Sequence, residues 1–222
     1  MNEALAHDAL FEAIDALDAD GVVRALSQGA TARMPRGLYT DRRDTQTPLA
    51  ALWNVWPGKG SAAAETILTV LLDAGAFGTG RGVSGAPLLV EAVRQAPDSA
   101  LPFIVRALCA CGADVDASDP NTLNALAHAS ERGLPQAIVA LLDAGANPDG
   151  FDRSGRTALM RALEEGQVDT ARTLLSRGAD PDATDADGAC ALLRLTRGPV
   201  EPTLVDMLLE FHADPNLKDR EG

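Results

Sequence analysis

Several residues have types and spacings that suggest chemistry, and each needs a particular setting to perform it. Gly80-Arg-Gly82-Val-Ser-Gly85 spells the glycine pattern of a dinucleotide-binding loop. That chemistry requires a strand before the first glycine and a helix N-terminus behind the last, where N–H groups and the helix dipole hold a pyrophosphate. A Leu-rich helical run precedes it here, so the glycines read as a turn. Asp180, Asp182, Asp185 and Asp187 followed by Gly188 bring to mind calcium ligands. A helix-loop-helix calcium site starts its ligands five residues before the glycine, and Ala183 stands there. These acids read as connectors between repeated elements. His7, His128 and His212 lie far apart, and Cys109-x-Cys111 has no second pair at zinc-ligand spacing. Ser84 lacks the closing glycine of a nucleophile elbow, since Ala86 follows Gly85. Glu164 and Glu165 are adjacent rather than facing one another. The expectation is a protein that is not an enzyme, with no catalytic residue, metal, cofactor or small-molecule substrate.

Bulk properties narrow the partner. The chain has 222 residues, 46% apolar but only 4% aromatic, so its core must be built from Leu, Ala, Val and Ile. The net charge of −13 and pI near 4.5 repel phosphate backbones and anionic membranes, and they suit a basic protein partner. Three cysteines, Cys109, Cys111 and Cys190, are an odd number without a disulfide framework, which fits free thiols in a reducing compartment. The N-terminus lacks a basic n-region followed by an apolar run, and no stretch of about 18 apolar residues could insert in a membrane. A cytoplasmic protein is expected, with a secreted effector as the alternative; heavy use of Ala, Arg, Asp and Gly suits a GC-rich bacterial genome.

The elements that position all these residues recur. A Gly-Ala pair closes a Leu-rich helical run at Gly29, Gly75, Gly112, Gly145 and Gly178, and His212-Ala213 takes the same place in a sixth copy. Successive intervals are 46, 37, 33, 33 and 34 residues, so the unit is about 33 residues and the first two copies carry insertions. The copy from Asp152 to Asp182 has a direct physical reading. Asp152-Arg-Ser-Gly155 makes a turn. Thr157 caps a first helix with Leu159, Ala162 and Leu163 inward. Gly166 interrupts it, and a second helix over 168–175 buries Val168, Ala171, Leu174 and Leu175. Gly178 then stops that helix in a left-handed conformation, a place His212 fills less comfortably in its own copy. Such short helix pairs bury their apolar faces only by stacking on neighbours.

Thr47-Pro48-Leu49-Ala50 opens one first helix; Ala86-Pro87-Leu88, Asn124-Ala125-Leu126, Thr157-Ala158-Leu159 and Cys190-Ala191-Leu192 are weaker forms. The endings Gly112-Ala-Asp114-Val-Asp116, Gly145-Ala-Asn147-Pro-Asp149 and Gly178-Ala-Asp180-Pro-Asp182 repeat the Gly-Ala-Asp/Asn-x-Asp close. Together these motifs resemble the ankyrin-repeat family over nearly the whole chain. The resemblance implies an all-α repeat: a solenoid of about six helix-turn-helix units joined by extended, hairpin-like turns. The units run 3–33 (an N-terminal cap opening with polar Glu3, His7 and Asp8), 34–79, 80–116, 117–149, 150–182 and 183–216, and 217–222 begins a seventh turn. It also implies a protein-binding scaffold. The alternative is the recognition segment of a longer enzyme or bacterial effector whose active domain lies beyond residue 222.

Two sets of residues are candidates for contact with that partner. The turn before Thr47 is too long and holds Tyr39, and the loop inside the second unit is too long and holds Trp53 and Trp56; the third unit is stretched around Pro97. Long loops lie on the surface and often carry function, and aromatic anchors dominate binding. The competing reading has Trp53 extend the first helix into the core while Trp56 packs beneath the loop. The second set comes from the resemblance, which implies that partners lie along a concave groove of turn tips and first helices. Matching positions are Arg153, Ser154 and Arg156 at the turn, Glu164 and Glu165 at the helix end, and Arg177; one unit earlier they include Asn121, Glu131 and Arg132.

Overall fold

The computed structural model describes residues 3–32, 47–56, 61–76, 86–121, 123–196 and 202–220, with the side chains of Glu3, Ala50, Trp53, Asn54 and Ser61 outside that description. It divides into two compact units, Met1–Asp114 and Val115–Gly222. The described residues of the first hold α1 (Glu3–Ala16), α2 (Ala19–Ser27), α3 (Pro48–Val55), α4 (Ser61–Asp73), α5 (Leu88–Gln95) and α6 (Leu101–Ala110). Those of the second hold α7 (Ala125–Arg132), α8 (Pro135–Asp143), α9 (Ala158–Glu164), α10 (Val168–Ser176), α11 (Ala191–Thr196) and α12 (Pro202–Glu210).

Packing follows the order of the chain. In the first unit α1, α3 and α5 pack side by side, and α2, α4 and α6 form the row behind them. In the second, α7, α9 and α11 form the front row and α8 and α10 the back. The core between rows is aliphatic: Leu159, Leu163, Leu174 and Leu175 are buried, as are Leu126, Ile138 and Leu141 of the repeat before. Each such side chain contributes roughly 1.5–3 kcal/mol by leaving water. One inward place differs from expectation. Val168 is half-buried at the start of α10, while Thr170 two residues later is fully buried. His7, one of the polar residues that open the cap, is buried, with its ring edge-on to Phe11 at 5.5 Å.

Local signals explain where the helices start and stop. The Asn124 side chain accepts the N–H of Ala127 at 2.9 Å, and the Thr157 hydroxyl accepts that of Met160 at 3.3 Å, each satisfying an otherwise orphaned donor. Beyond α10, Gly178 has φ +92°, with its N–H donating to Leu175 and that of Ala179 to Leu174. His212 makes the same closure after α12 at φ +66°, a conformation that side chains rarely adopt. The third unit's extra residues fold as a 3-10 turn, Asp98–Ala100, which buries Ala96 and Ala100 and leads into α6.

The connectors are narrow arms rather than strands. Among the described residues the only β-type pairs are single antiparallel bridges, Phe151 with Thr157 and Thr184 with Cys190. Consecutive arms touch at their tips. The N–H of Ala186 donates to the carbonyl of Ser154 at 3.1 Å, and a Cβ on Gly155 would meet Ala186 N at 2.3 Å. No described helix is long and apolar enough to cross a membrane.

Candidate functional site

The candidate site lies in the second unit, on its arms and front helices. An aspartate heads each arm: Asp119, Asp152 and Asp185, all buried. One oxygen of each carboxylate closes its turn by accepting two backbone N–H groups, two and four residues on. For Asp119 these are Asn121 (2.8 Å) and Leu123 (3.0 Å). For Asp152 they are Ser154 (2.7 Å) and Arg156 (3.1 Å), and for Asp185 they are Asp187 and Ala189, both at 2.9 Å. The Ser154 hydroxyl adds a bond to Asp152 at 2.7 Å.

The second oxygen of each carboxylate takes a cationic or imidazole group nine residues later, on the first helix. Asp119 meets His128 Nε2 at 3.1 Å, Asp152 meets the guanidinium of Arg161, and Asp185 meets that of Arg194. Each arginine also reaches back to the preceding first helix, Arg161 to Glu131 and Arg194 to Glu164. His128 Nδ1 lies 3.7 Å from Glu131, and Arg156 donates to Glu164 at 3.2 Å. The result is a charge row in two runs, Asp119–His128–Glu131–Arg161–Asp152 and Arg156–Glu164–Arg194–Asp185, which meet where Asp152 accepts the Arg156 backbone N–H.

These contacts set the protonation states. Burial by itself would raise Asp152, but bonds from the Ser154 hydroxyl, the Arg161 guanidinium and two backbone N–H groups overcome it and hold the carboxyl at about 2. The same opposition leaves Asp119 and Asp185 below the usual carboxylate range: burial pushes up, and the turn N–H groups with His128 or Arg194 pull down further. Arg194 is raised, because Glu164 and Asp185 outweigh the burial that disfavours its charge. Each of the three aspartates is thus favoured in its charged form, and its contacts fix the arm to the first helix.

The sequence-based candidates divide against this geometry. Arg153 and Ser154 are exposed at the arm tip, and Arg156 and Glu164 are brought together as one ion pair. Glu165 is exposed just beyond α9. Arg177 stands apart from them: it follows α10 in the back row and pairs with Asp143 of α8 at 2.6 Å. Trp56 is only 2% exposed, so its ring is part of the core and not a surface anchor; this corrects its reading as a contact residue. Tyr39 lies outside the described residues, as does the side chain of Trp53, whose backbone belongs to α3. Gly80–Gly85 also lies outside them. In the Asp180–Asp187 run, Asp180 accepts the N–H of Asp182, Asp182 that of Asp214, and Asp185 closes its own turn. Residues the sequence reading missed are Arg161 and Arg194. Their signal was an acid followed nine residues later by His or Arg, recurring at 119/128, 152/161 and 185/194.

Residues 89–185 match the family model of ankyrin repeats, in three copies. The fold is that of the ankyrin repeat domain of Bcl-3, described as a unique member of the IkappaB protein family: TM-score 0.78 and 24% identity over 96% of this chain and 90% of that one. An ankyrin repeat domain from Acinetobacter baumannii AYE is similar as well, with TM-score 0.75 and 22% identity over 92% of this chain and 98% of that one. No curated protein matches the sequence. Residues 89–185 thus carry the ankyrin-repeat pattern directly, and the helical repeat fold extends beyond them among the described residues. Ankyrin repeats in general mediate protein–protein interaction, and the fold is typically a non-catalytic one.

Proposed function

We propose that the chain is a non-catalytic scaffold that holds a protein partner along the groove of arm tips and first helices, where Arg153, Ser154, Arg156, Glu164 and Glu165 present polar contacts. The long segments of the second and third repeats, with Tyr39 and Trp53, are proposed as a separate contact region. One observation carries the reading. The arms are braced to the front helices through Asp152, Arg161 and Glu131 and through Asp185, Arg194 and Glu164. Tips fixed in this way lose little conformational freedom when a partner docks, which is how a preorganised surface gains affinity. Arg177, in the back row, is left out of the proposed face. Three free cysteines fit work in a reducing cytoplasm.

The test is quantitative affinity capture from the source cells with the full chain and with a double charge reversal, Arg153→Glu with Glu165→Arg. Both side chains are exposed, so the fold should persist, as circular dichroism can verify. The reading expects at least one partner to be lost selectively by the variant. Retention of every captured protein at wild-type level would refute it.

A further inference from the structure

We propose that Phe151 and the acidic arms beside it form a docking edge for a basic partner segment with an apolar centre; this rests on the scaffold reading above and names the partner's chemistry. Phe151 is 75% exposed, the most exposed of the large apolar side chains among the described residues. It is also held in place. Its backbone pairs with Thr157 in an antiparallel bridge, and the next N–H, of Asp152, donates to the carbonyl of Arg156 at 3.1 Å. An aromatic ring is thus kept in water on an arm closed from both sides.

The fold does not need an aromatic there. The same register in the neighbouring arms holds Ser118 and Thr184, both exposed, one residue before the buried Asp119 and Asp185 as Phe151 is before Asp152. Leaving the ring exposed forgoes the burial energy an apolar side chain normally contributes, so a contact outside the chain is its natural use.

Charge identifies the occupant. The three arms 113–124, 146–157 and 179–190 contain nine aspartates; Asp119, Asp152 and Asp185 are buried against His128, Arg161 and Arg194, which leaves six beside two arginines, Arg153 and Arg156. Three of the aspartates stand one per repeat on the approach to the arms, fixed by the N–H groups they accept across repeats. Asp116 accepts from Asn147 at 3.1 Å, Asp149 from Asp180 at 2.8 Å, and Asp182 from Asp214 at 2.9 Å. Asp149 is two residues from Phe151. An apolar contact set in this field selects a segment whose Leu, Ile or Phe side chains are flanked by Lys or Arg, and it repels nucleic acid and anionic lipid.

The test uses the full chain and two fluorescent synthetic peptides of equal length and equal lysine content, one with three central leucines and the other with serines in their place. Fluorescence anisotropy gives both dissociation constants at two salt concentrations. The expected result is a preference for the leucine peptide of about tenfold or more. Phe151→Ser should reduce that preference to about threefold or less without changing the affinity for the serine peptide. Asp149→Asn with Asp182→Asn should weaken both peptides and flatten their salt dependence. No binding of either peptide, no preference in the wild type, or a preference intact in Phe151→Ser would each overturn the proposal. Unchanged affinities in the double Asn variant would remove its electrostatic half. If the Arg153/Glu165 reversal keeps all captured partners while Phe151→Ser abolishes the peptide preference, the tip-and-helix reading fails and this edge stands; the opposite pair of results removes the edge alone.

Discussion

Neutralising Asp152 probes the charge row at the point where it does most. Asp152→Asn preserves an acceptor for the N–H groups of Ser154 and Arg156 but removes the negative charge opposite Arg161. In the folded chain that carboxyl is held at about 2 against an ordinary 3.8. The difference corresponds to roughly 2 kcal/mol of preference of the folded state for the charged form. The Asp152 side chain is only 5% exposed, so solvent screens little of this. Because the folded value is depressed, the contribution is complete above the unfolded value and disappears as pH falls through the folded one. Urea unfolding of the full chain should therefore separate wild type from Asp152→Asn by roughly 2 kcal/mol at pH 7. The gap should hold down to about pH 4.5, shrink below it, and close near pH 2. Carbon-13 titration of the Asp152 carboxyl gives an independent reading, with a midpoint near 2. The reasoning is refuted if the carboxyl titrates at its ordinary value. A stability gap of the same size at pH 7 and pH 2.5 refutes it too, since that would mark a geometric rather than an ionic effect.

Three further substitutions have distinct outcomes. Gly155→Ala must fit a Cβ 2.3 Å from the backbone N of Ala186 at φ +77°, whereas Gly178→Ala, at φ +92°, meets nothing within 4 Å. Gly178→Ala should cost about 1 kcal/mol from conformation alone and Gly155→Ala clearly more, and equal urea midpoints would contradict this. His212→Gly relieves a closure held at φ +66° by a non-glycine residue and should raise the thermal midpoint, by about 0.5 kcal/mol or more of stability; an unchanged or lower midpoint counts against the cap assignment. Leu174→Ala empties a fully buried place between α10 and its neighbours and should cost about 2–5 kcal/mol in the same urea assay, with a loss under 1 kcal/mol arguing against the packing described.

What could be read from the sequence was whatever repeats locally. The Gly-Ala closures, the Thr157 cap and the break at Gly166 are each fixed by the conformational limits of one or two residues, so spacing alone places α9 and α10 to within a residue or two. Insertions obeyed no such rule. Nothing in the residues around Trp56 says whether the ring turns outward or inward, because the 33-residue register that orients side chains is broken there. The burial of His7 was hidden for a related reason: an imidazole can be polar surface or an aromatic partner, and only the nearby Phe11 ring decides. The charge row was hidden differently. Arg161 and Glu131 are 30 residues apart and meet only because α7 and α9 pack side by side, so the contact belongs to the stacking and not to any one repeat.

That stacking joins stability to recognition. Asp152 closes the turn with one oxygen and anchors Arg161 with the other, while Arg161 ties the arm to the preceding helix through Glu131. The residues on either side of Asp152 in the chain, Phe151 and Arg153, are both exposed. A buried charge therefore sets the backbone from which an apolar and a cationic side chain face the solvent. Loosening the arm by Asp152→Asn should weaken binding through both neighbours at once, in proportion to the stability it removes. Phe151→Ser should weaken binding with no change in stability at all. Measured side by side, the two variants separate a surface that binds because it is rigid from one that binds only because it carries the right side chains.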